Sequence, residues 1–528
     1  MTPSGRMISI LNQVLGPVMR GPSSSHTAGA YHIASMARGL LGSKPRRAAF
    51  SFDPGGSYGQ TYSAQGADRA FAMGLMGKSL TDESFFSALE DAAASGLSIS
   101  FEIRPLRDPG HPNSMEITLE AGDGTLLALE ARSIGGGEVV ITSVDGWPAA
   151  FDGSAFEVLV ETAAAAKAAI QAILEEDGAV LGASEMIRLG DRAAILVRRS
   201  KPLADAGVRS LRTLTGVKRV RECAPVYFVA TGPALFSSAE EMVRLAEEKR
   251  LSLGRLALDY ESSLLGLSRE AVRAEILRRF DIMSESAERG LDPGFSGLRL
   301  LPASAGRIFA AGAEGRLPGG GLHLRAAARA MAVMHVDGAM GVVCAAPTGG
   351  SAGVIPGTLL TLAEEKGLDR ERAALALLAA GAVGVVVARR ATFAAEVAGC
   401  QVEIGAAGAM AAAAVVEAAG GSARQACDAA AIAFQNTMGS VCDLVQGKVE
   451  IPCHTRNAAA AASAFVCADL VLGGYANPIP LDETIDAVFE VGRMLPAELR
   501  CTSKAGLATA PSALALRSSA EEREKIRP

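Results

Sequence analysis

Residues 156–198 read FEVLVETAAAAKAAIQAILEEDGAVLGASEMIRLGDRAAILVR. Residues 156–161 have the β-prone apolar character of a strand, and the alanine-rich run at 163–176 is helical. Two further strands follow at 182–188 and 193–198. Beyond the quoted stretch, residues 201–214 read as a second helix, and 217–229 contain a last strand. The order β-α-β-β-α-β predicts a ferredoxin-like fold for residues 155–231.

Toward the N-terminus, residues 1–152 mix helices with short strands, expected at 47–52, 98–103, 114–119, 126–131 and 139–144. Gly/Asp-rich turns at 121–124 and 135–137 separate the last three. Toward the C-terminus, residues 237–528 read as almost all helical. The strongest helical runs lie at 239–248, 269–289, 322–336, 368–388, 406–419, 423–436 and 457–471, with glycine-rich joints at 318–321, 348–353 and 420–421. The expected fold class is multidomain α+β: an N-terminal α+β domain, a ferredoxin-like domain and a mainly helical C-terminal domain. The charged tail at 518–528 is expected to fray.

Composition narrows the functional classes. Apolar residues make up 49% of the chain and aromatic ones only 5%, which favours helices packed closely through alanine and glycine. The net charge is −6, and no Lys/Arg run offers a nucleic-acid footprint. Residues 1–15 lack a charged region followed by a long apolar one, so no secretory signal is expected. The apolar stretches 374–388 and 404–419 are short for a membrane span and read as buried helices. A cytoplasmic protein without membrane or nucleic-acid partners is expected.

Seven of the eight cysteines fall between Cys344 and the C-terminus. In a reducing compartment they are not a disulfide framework, and no CxxC pair suggests a zinc ribbon or a thioredoxin-type site. They are either small buried apolar residues or, in part, ligands that converge on a metal cluster.

Several segments carry chemistry. Residues 21–30, GPSSSHTAGA, gather hydroxyls at the start of a helical stretch beginning near Ala28. Hydroxyls and free N–H groups there bind anions such as carboxylates, and His26 adds a group that titrates near neutrality. Residues 53–68, DPGGSYGQTYSAQGAD, present Ser57 on a glycine turn. Residues 111–114, HPNS, carry His111 as an active-site or turn-fixing group. In the helical region stand residues 346–357, APTGGSAGVIPG, and 397–413, VAGCQVEIGAAGAMAAA, where Glu403 follows Cys400 by three and can share its face. Residues 442–457, CDLVQGKVEIPCHTRN, add Arg456, suited to pairing a carboxylate, and Asn457. Residues 495–510, LPAELRCTSKAGLATA, contain Cys501.

In this order and spacing the segments resemble the bacterial iron–sulfur-type L-serine dehydratases, with β and α domains fused around an ACT-like domain. The resemblance implies β-elimination of water from L-serine, giving pyruvate and ammonia, with metal assistance. It implies catalytic roles for His26, Ser25, Ser57 and His111, and substrate contacts from Ser23, Ser24, Thr27, Thr348, Arg456 and Asn457. It further implies a [4Fe–4S] cluster, for which Cys400, Cys442, Cys453 and Cys344 are the expected ligands. Ala352 and Gly408 stand where the family pattern leads one to expect cysteines, and Gln65 and Ala67 stand where it has histidine and threonine. The alternatives are a cluster-free relative acting on another β-substituted amino acid such as cysteine, or a non-catalytic amino-acid-binding protein. The expected partners are an amino-acid substrate and a second copy of the chain in a homodimer.

Overall fold

A computed structural model describes residues 7–163 and 166–516; the charged tail lies outside them. The chain forms two compact units. One comprises Ser25–Thr231; the other joins the N-terminal segment up to Ser24 to everything from Gly232 onward. Sheets dominate the first and helices the second.

In the Ser25–Thr231 unit a six-stranded sheet runs in the order Ser98–Ile103, Pro45–Phe52, Ser114–Ala121, Leu126–Gly135, Glu138–Val144, Trp147–Phe151. Only the first pair is parallel. The five strands expected from alternation are present, and Trp147–Phe151 is an addition. The turn before Glu138 is made by Gly135, Gly136 and Gly137, all at positive φ, which side chains rarely tolerate. The Ala28–Leu41 helix packs on this sheet and on the Ala67–Met76 helix. Beside it the Phe71 ring lies 4.2 Å from Phe50, and Tyr58 lies 5.2 Å from Phe52.

The second sheet of this unit has the order Val217–Cys223, Phe156–Thr162, Arg192–Arg199, Glu185–Leu189, with every pair antiparallel. The helices Lys167–Glu175 and Asp205–Thr213 complete the β-α-β-β-α-β order. Alternating Val158 and Val160, with Ile195 and Val197, meet Ile170, Leu174 and Leu211 of the two helices.

In the helical unit, Ser238, Ser252, Ser268, Asp369 and Ser422 each accept a backbone N–H at a helix start. The Ile404–Ala418 helix is apolar all round and buried along nearly its whole length, as a central helix must be. Two helical stretches, Arg370–Arg390 and Cys400–Ala418, are long and apolar enough to cross a membrane. In each, most of the apolar window is buried inside the unit.

The N-terminal segment is threaded into this unit. A buried π-helical turn, Ile10–Val14, is followed by the strand Val18–Arg20, which pairs antiparallel with Val342–Cys344. The Glu261 carboxylate accepts the Ser9 hydroxyl and the N–H groups of Ile10 (2.8 Å) and Leu11 (2.9 Å). Arg279 donates to the carbonyls of Leu11 and Leu15, and Tyr260 to that of Ile8 at 2.7 Å.

Glu157, in the second sheet, gives a pH test. Its side chain is fully buried, one oxygen meets Arg198 Nε at 3.2 Å, and the other has no partner. Burial, only partly offset by Arg198, pushes the carboxyl up to about 8 from 4.5. The folded state therefore keeps a proton that the unfolded chain releases. This contribution to stability is complete below the unfolded value of 4.5 and is lost as pH rises through about 8. The unfolding midpoint should fall as pH rises from 4.5 to about 8 and level off above it, with at most about 1.4 kcal/mol lost per pH unit from this group. Glu157→Gln should flatten the dependence; an unchanged slope would contradict the assignment.

Candidate functional site

The glycine loop of the helical unit is shaped by its own hydroxyls and one amide. Thr348 and Ser351 form a capping box around the turn Gly349–Ser351. Asn457 then holds the loop: its Nδ2 donates to Gly350 O at 2.8 Å, and its Oδ1 accepts Gly353 N–H at 3.2 Å. Thr348 Oγ1 donates to Glu403 at 2.6 Å. A Cβ at Gly350 would fall 2.8 Å from the Glu403 carboxylate, so a side chain there would displace that group.

Three distant segments bring thiols to the same place. Cys400 opens the turn Cys400–Val402, and Cys453 opens the helix Cys453–Leu472. Cys442 and Cys501 are joined by their backbones, with Cys442 N–H donating to Leu499 O at 2.8 Å and Cys501 N–H to Cys442 O at 2.9 Å. The Cys442 side chain touches both Cys400 and Cys501, and Cys453 lies within electrostatic reach of Cys400. Donor atoms of Cys400, Glu403 and Cys442 all lie within 4.8 Å of one another, the group among the described residues able to hold a metal ion.

Burial and mutual contact together raise the titration of every thiol and of the carboxyl in this group. The contact with Cys442 and burial hold the Cys400 thiol well above its ordinary range, and burial does the same for Cys453. For Cys442 the contact with Cys400 works downward but is outweighed by Cys501 and burial. Cys501 is pushed up to about 12, with burial overcoming the contact with Cys442. Burial pushes Glu403 to about 7 against the Thr348 hydrogen bond. Thiolates buried this deeply are stabilised by a metal in place of their protons.

The remaining expected residues are distributed as follows. Arg456 is committed within the helical unit, donating to Val441 O at 2.7 Å, Asp443 at 3.0 Å and Cys400 Sγ at 3.6 Å. It braces the thiol segments. Cys344 stands apart on its strand, its Sγ directed to Leu15 O at 3.6 Å. Ala352 is buried in the glycine loop, and Gly408 faces Ala460. Neither position offers a donor; Cys442 touches Cys400, and Cys453 and Cys501 lie within its electrostatic reach. Ser24 lies against Gly349.

In the other unit, His26 is buried with Nε2 3.1 Å from both Ser57 Oγ and Thr61 Oγ1. Its ring lies 4.7 Å from that of Tyr58. The Ser25 carbonyl accepts Tyr58 OH at 2.6 Å and Ser133 Oγ at 2.9 Å. Thr27 precedes the Ala28–Leu41 helix. His111 Nδ1 accepts Asn113 N–H at 3.1 Å, and Pro112 O accepts Ser57 N–H at 2.8 Å, so the HPNS turn fixes the Ser57 turn.

Residues 237–508 match the family model for the serine dehydratase alpha chain. The probable L-serine dehydratase alpha chain of Bacillus subtilis is 38% identical over 278 residues, 53% of this chain and 93% of that one. The chain belongs to the iron–sulfur-type bacterial L-serine dehydratase family. The L-serine dehydratase alpha chain of Peptoniphilus asaccharolyticus is 34% identical over 275 residues, 52% of this chain and 94% of that one. The probable L-serine dehydratase beta chain of Bacillus subtilis is 41% identical over 147 residues, 28% of this chain and 65% of that one. This member of the family thus carries alpha-like and beta-like parts on one polypeptide.

The expected ligand set left out Glu403, whose carboxylate stands with the thiols of Cys400 and Cys442, and Cys501, which touches Cys442. Cys400→Ser or Cys442→Ser should bring bound metal, measured on anaerobically purified protein, to background. Cys344→Ser should leave it unchanged; equal loss in all three would contradict the grouping.

Proposed function

We propose that the protein is an L-serine ammonia-lyase that eliminates water from L-serine to give pyruvate and ammonia, with a [4Fe–4S] cluster as its cofactor. The observation that carries this reading is the convergence of buried thiols on Cys400 beside Glu403 and the glycine loop. Cys400, Cys442 and Cys453 would hold the cluster, and Cys501 lies beside them as a further donor. This donor set suits iron–sulfur ligation, which is built on several thiolates around a compact core. The chemistry such a cluster supplies when bound is Lewis acidity toward the β-hydroxyl, a poor leaving group by itself.

The chain's own residues do the rest. Thr348 orients the Glu403 carboxyl, which can hold or release a proton at Oε2 near neutral pH. Asn457 keeps the loop backbone in register with the Cys453 helix. Hydroxyls of Ser23, Ser24, Ser25 and Thr27 are assigned to the substrate carboxylate. His26, with Ser57 on its Nε2, is assigned to proton transfer, with His111 fixing the Ser57 turn. The β-α-β-β-α-β sheet is read as an ACT-like domain with a structural role. A cytoplasmic homodimer is the assembly assigned.

Anaerobically purified protein should contain iron and acid-labile sulfide and form pyruvate from L-serine. Full turnover in iron-free, chelator-treated protein would overturn the cluster assignment, and no turnover in iron-loaded protein would overturn the lyase. His26→Ala should lower kcat by about a hundredfold or more with thermal stability retained. Unchanged kcat and KM would remove His26 from the mechanism.

A further inference from the structure

Asp337 closes the Leu322–Gly338 helix and is fully buried. Neither of its carboxylate oxygens has a hydrogen-bond partner. A buried, unpaired carboxylate is costly unless something completes it. Among the described residues nothing does so. Arg456, the cation of the thiol group, is spent on Asp443 and on Val441 O.

The position of this carboxylate ties it to the site. The Gly21–Pro22 turn lies directly on it, and a Cβ at Gly21 would fall 2.4 Å from its Oδ1. The turn continues to Ser24, whose backbone N lies against Gly349 of the glycine loop. Glu403 and Cys453 are both within electrostatic reach of Asp337. This part of the helical unit therefore carries two acids, of which Thr348 engages Glu403 and, among the described residues, no side chain engages Asp337.

We infer that Asp337 receives the α-ammonium group of the amino-acid substrate and makes the site select an amino acid over its deaminated counterpart. The inference rests on the ammonia-lyase reading. A β-hydroxy amino acid brings three polar groups into the site. On that reading the hydroxyl would go to the cluster held by the thiols, and the carboxylate to hydroxyls and N–H donors of residues 21–24 in the helical unit. The ammonium group has three N–H donors and a full charge, and it needs an acceptor of opposite charge that no protein cation already occupies. Asp337 is an acid shielded from water beneath the Gly21–Pro22 turn; burial, then Glu403, hold its carboxyl well above the usual carboxylate range, and an ammonium group beside it would favour the ionised form. Its isolation from protein donors then has a physical reason: a built-in partner would compete with the substrate.

The test compares L-serine with 3-hydroxypropanoate, which keeps the carboxylate and hydroxyl but lacks the amino group. In the wild-type holoenzyme, KM for L-serine should lie well below the competitive inhibition constant of 3-hydroxypropanoate. Asp337→Asn keeps the shape and removes the charge. It should raise KM for L-serine about tenfold to a hundredfold, the range of a charge-assisted hydrogen bond, and leave the inhibition constant of 3-hydroxypropanoate unchanged. Retained inhibitor binding also shows that the variant site is folded. An unchanged KM, or equal weakening of both compounds, would overturn the inference. So would a wild-type enzyme that binds 3-hydroxypropanoate as tightly as L-serine, a result that does not depend on any variant folding. Wild-type protein that neither binds nor converts L-serine would instead bring down the lyase reading, and this inference with it.

Discussion

The Glu261 carboxylate, buried in the helical unit, accepts hydrogen bonds from Ser9 and from the backbone N–H groups of Ile10 and Leu11. Those N–H groups belong to a turn that cannot satisfy them itself, and a buried donor left unpaired is costly. Arg279 completes the anchor from the other side by taking two carbonyls of the same segment. With residues 9–15 fixed in this way, Val18–Arg20 lies along Val342–Cys344, and Gly21 comes to rest on Asp337. The helical unit therefore does not build its site from its own contiguous sequence. It borrows a wall from the first residues of the chain.

The same economy of short segments recurs around the thiols. Cys400, Cys442, Cys453 and Cys501 come from three segments of the sequence, 397–413, 442–457 and 495–510. Cys442 and Cys501 are joined by N–H···O bonds. Asp443 accepts both Arg456 and the N–H of Leu507, so one buried carboxylate ties the Cys453 helix to the C-terminal segment. Arg456 closes the circle by reaching Cys400. A guanidinium beside buried thiols also favours their ionised form once a metal displaces the protons.

Much of the fold was legible because its signals are local. Alternation placed five strands of the six-stranded sheet within a few residues and missed Trp147–Phe151, and element order gave the second sheet its topology before any pairing was known. Helix runs rich in alanine marked the C-terminal unit. The threading of residues 7–24 was not legible, because Val18–Arg20 is a three-residue strand whose partner lies more than three hundred positions away. Its apolar turn has no period to betray it. The site divided in the same manner. Motif resemblance led to Cys400, Cys442 and Cys453, but it also directed attention to Ala352 and Gly408, where no donor stands, and to Cys344, whose thiol faces Leu15. Convergence in space is a property of packing, and spacing along the chain does not encode it.

The account depends most on the N-terminal segment being an integral part of the helical unit. Hydrogen–deuterium exchange at the amides of Ile10 and Leu11 tests this directly. The account predicts exchange as slow as that of the central Ile404–Ala418 helix, with protection lost at both amides in Glu261→Ala while that helix stays protected. Exchange of Ile10 and Leu11 at the rate of an exposed loop in the unaltered protein would contradict it.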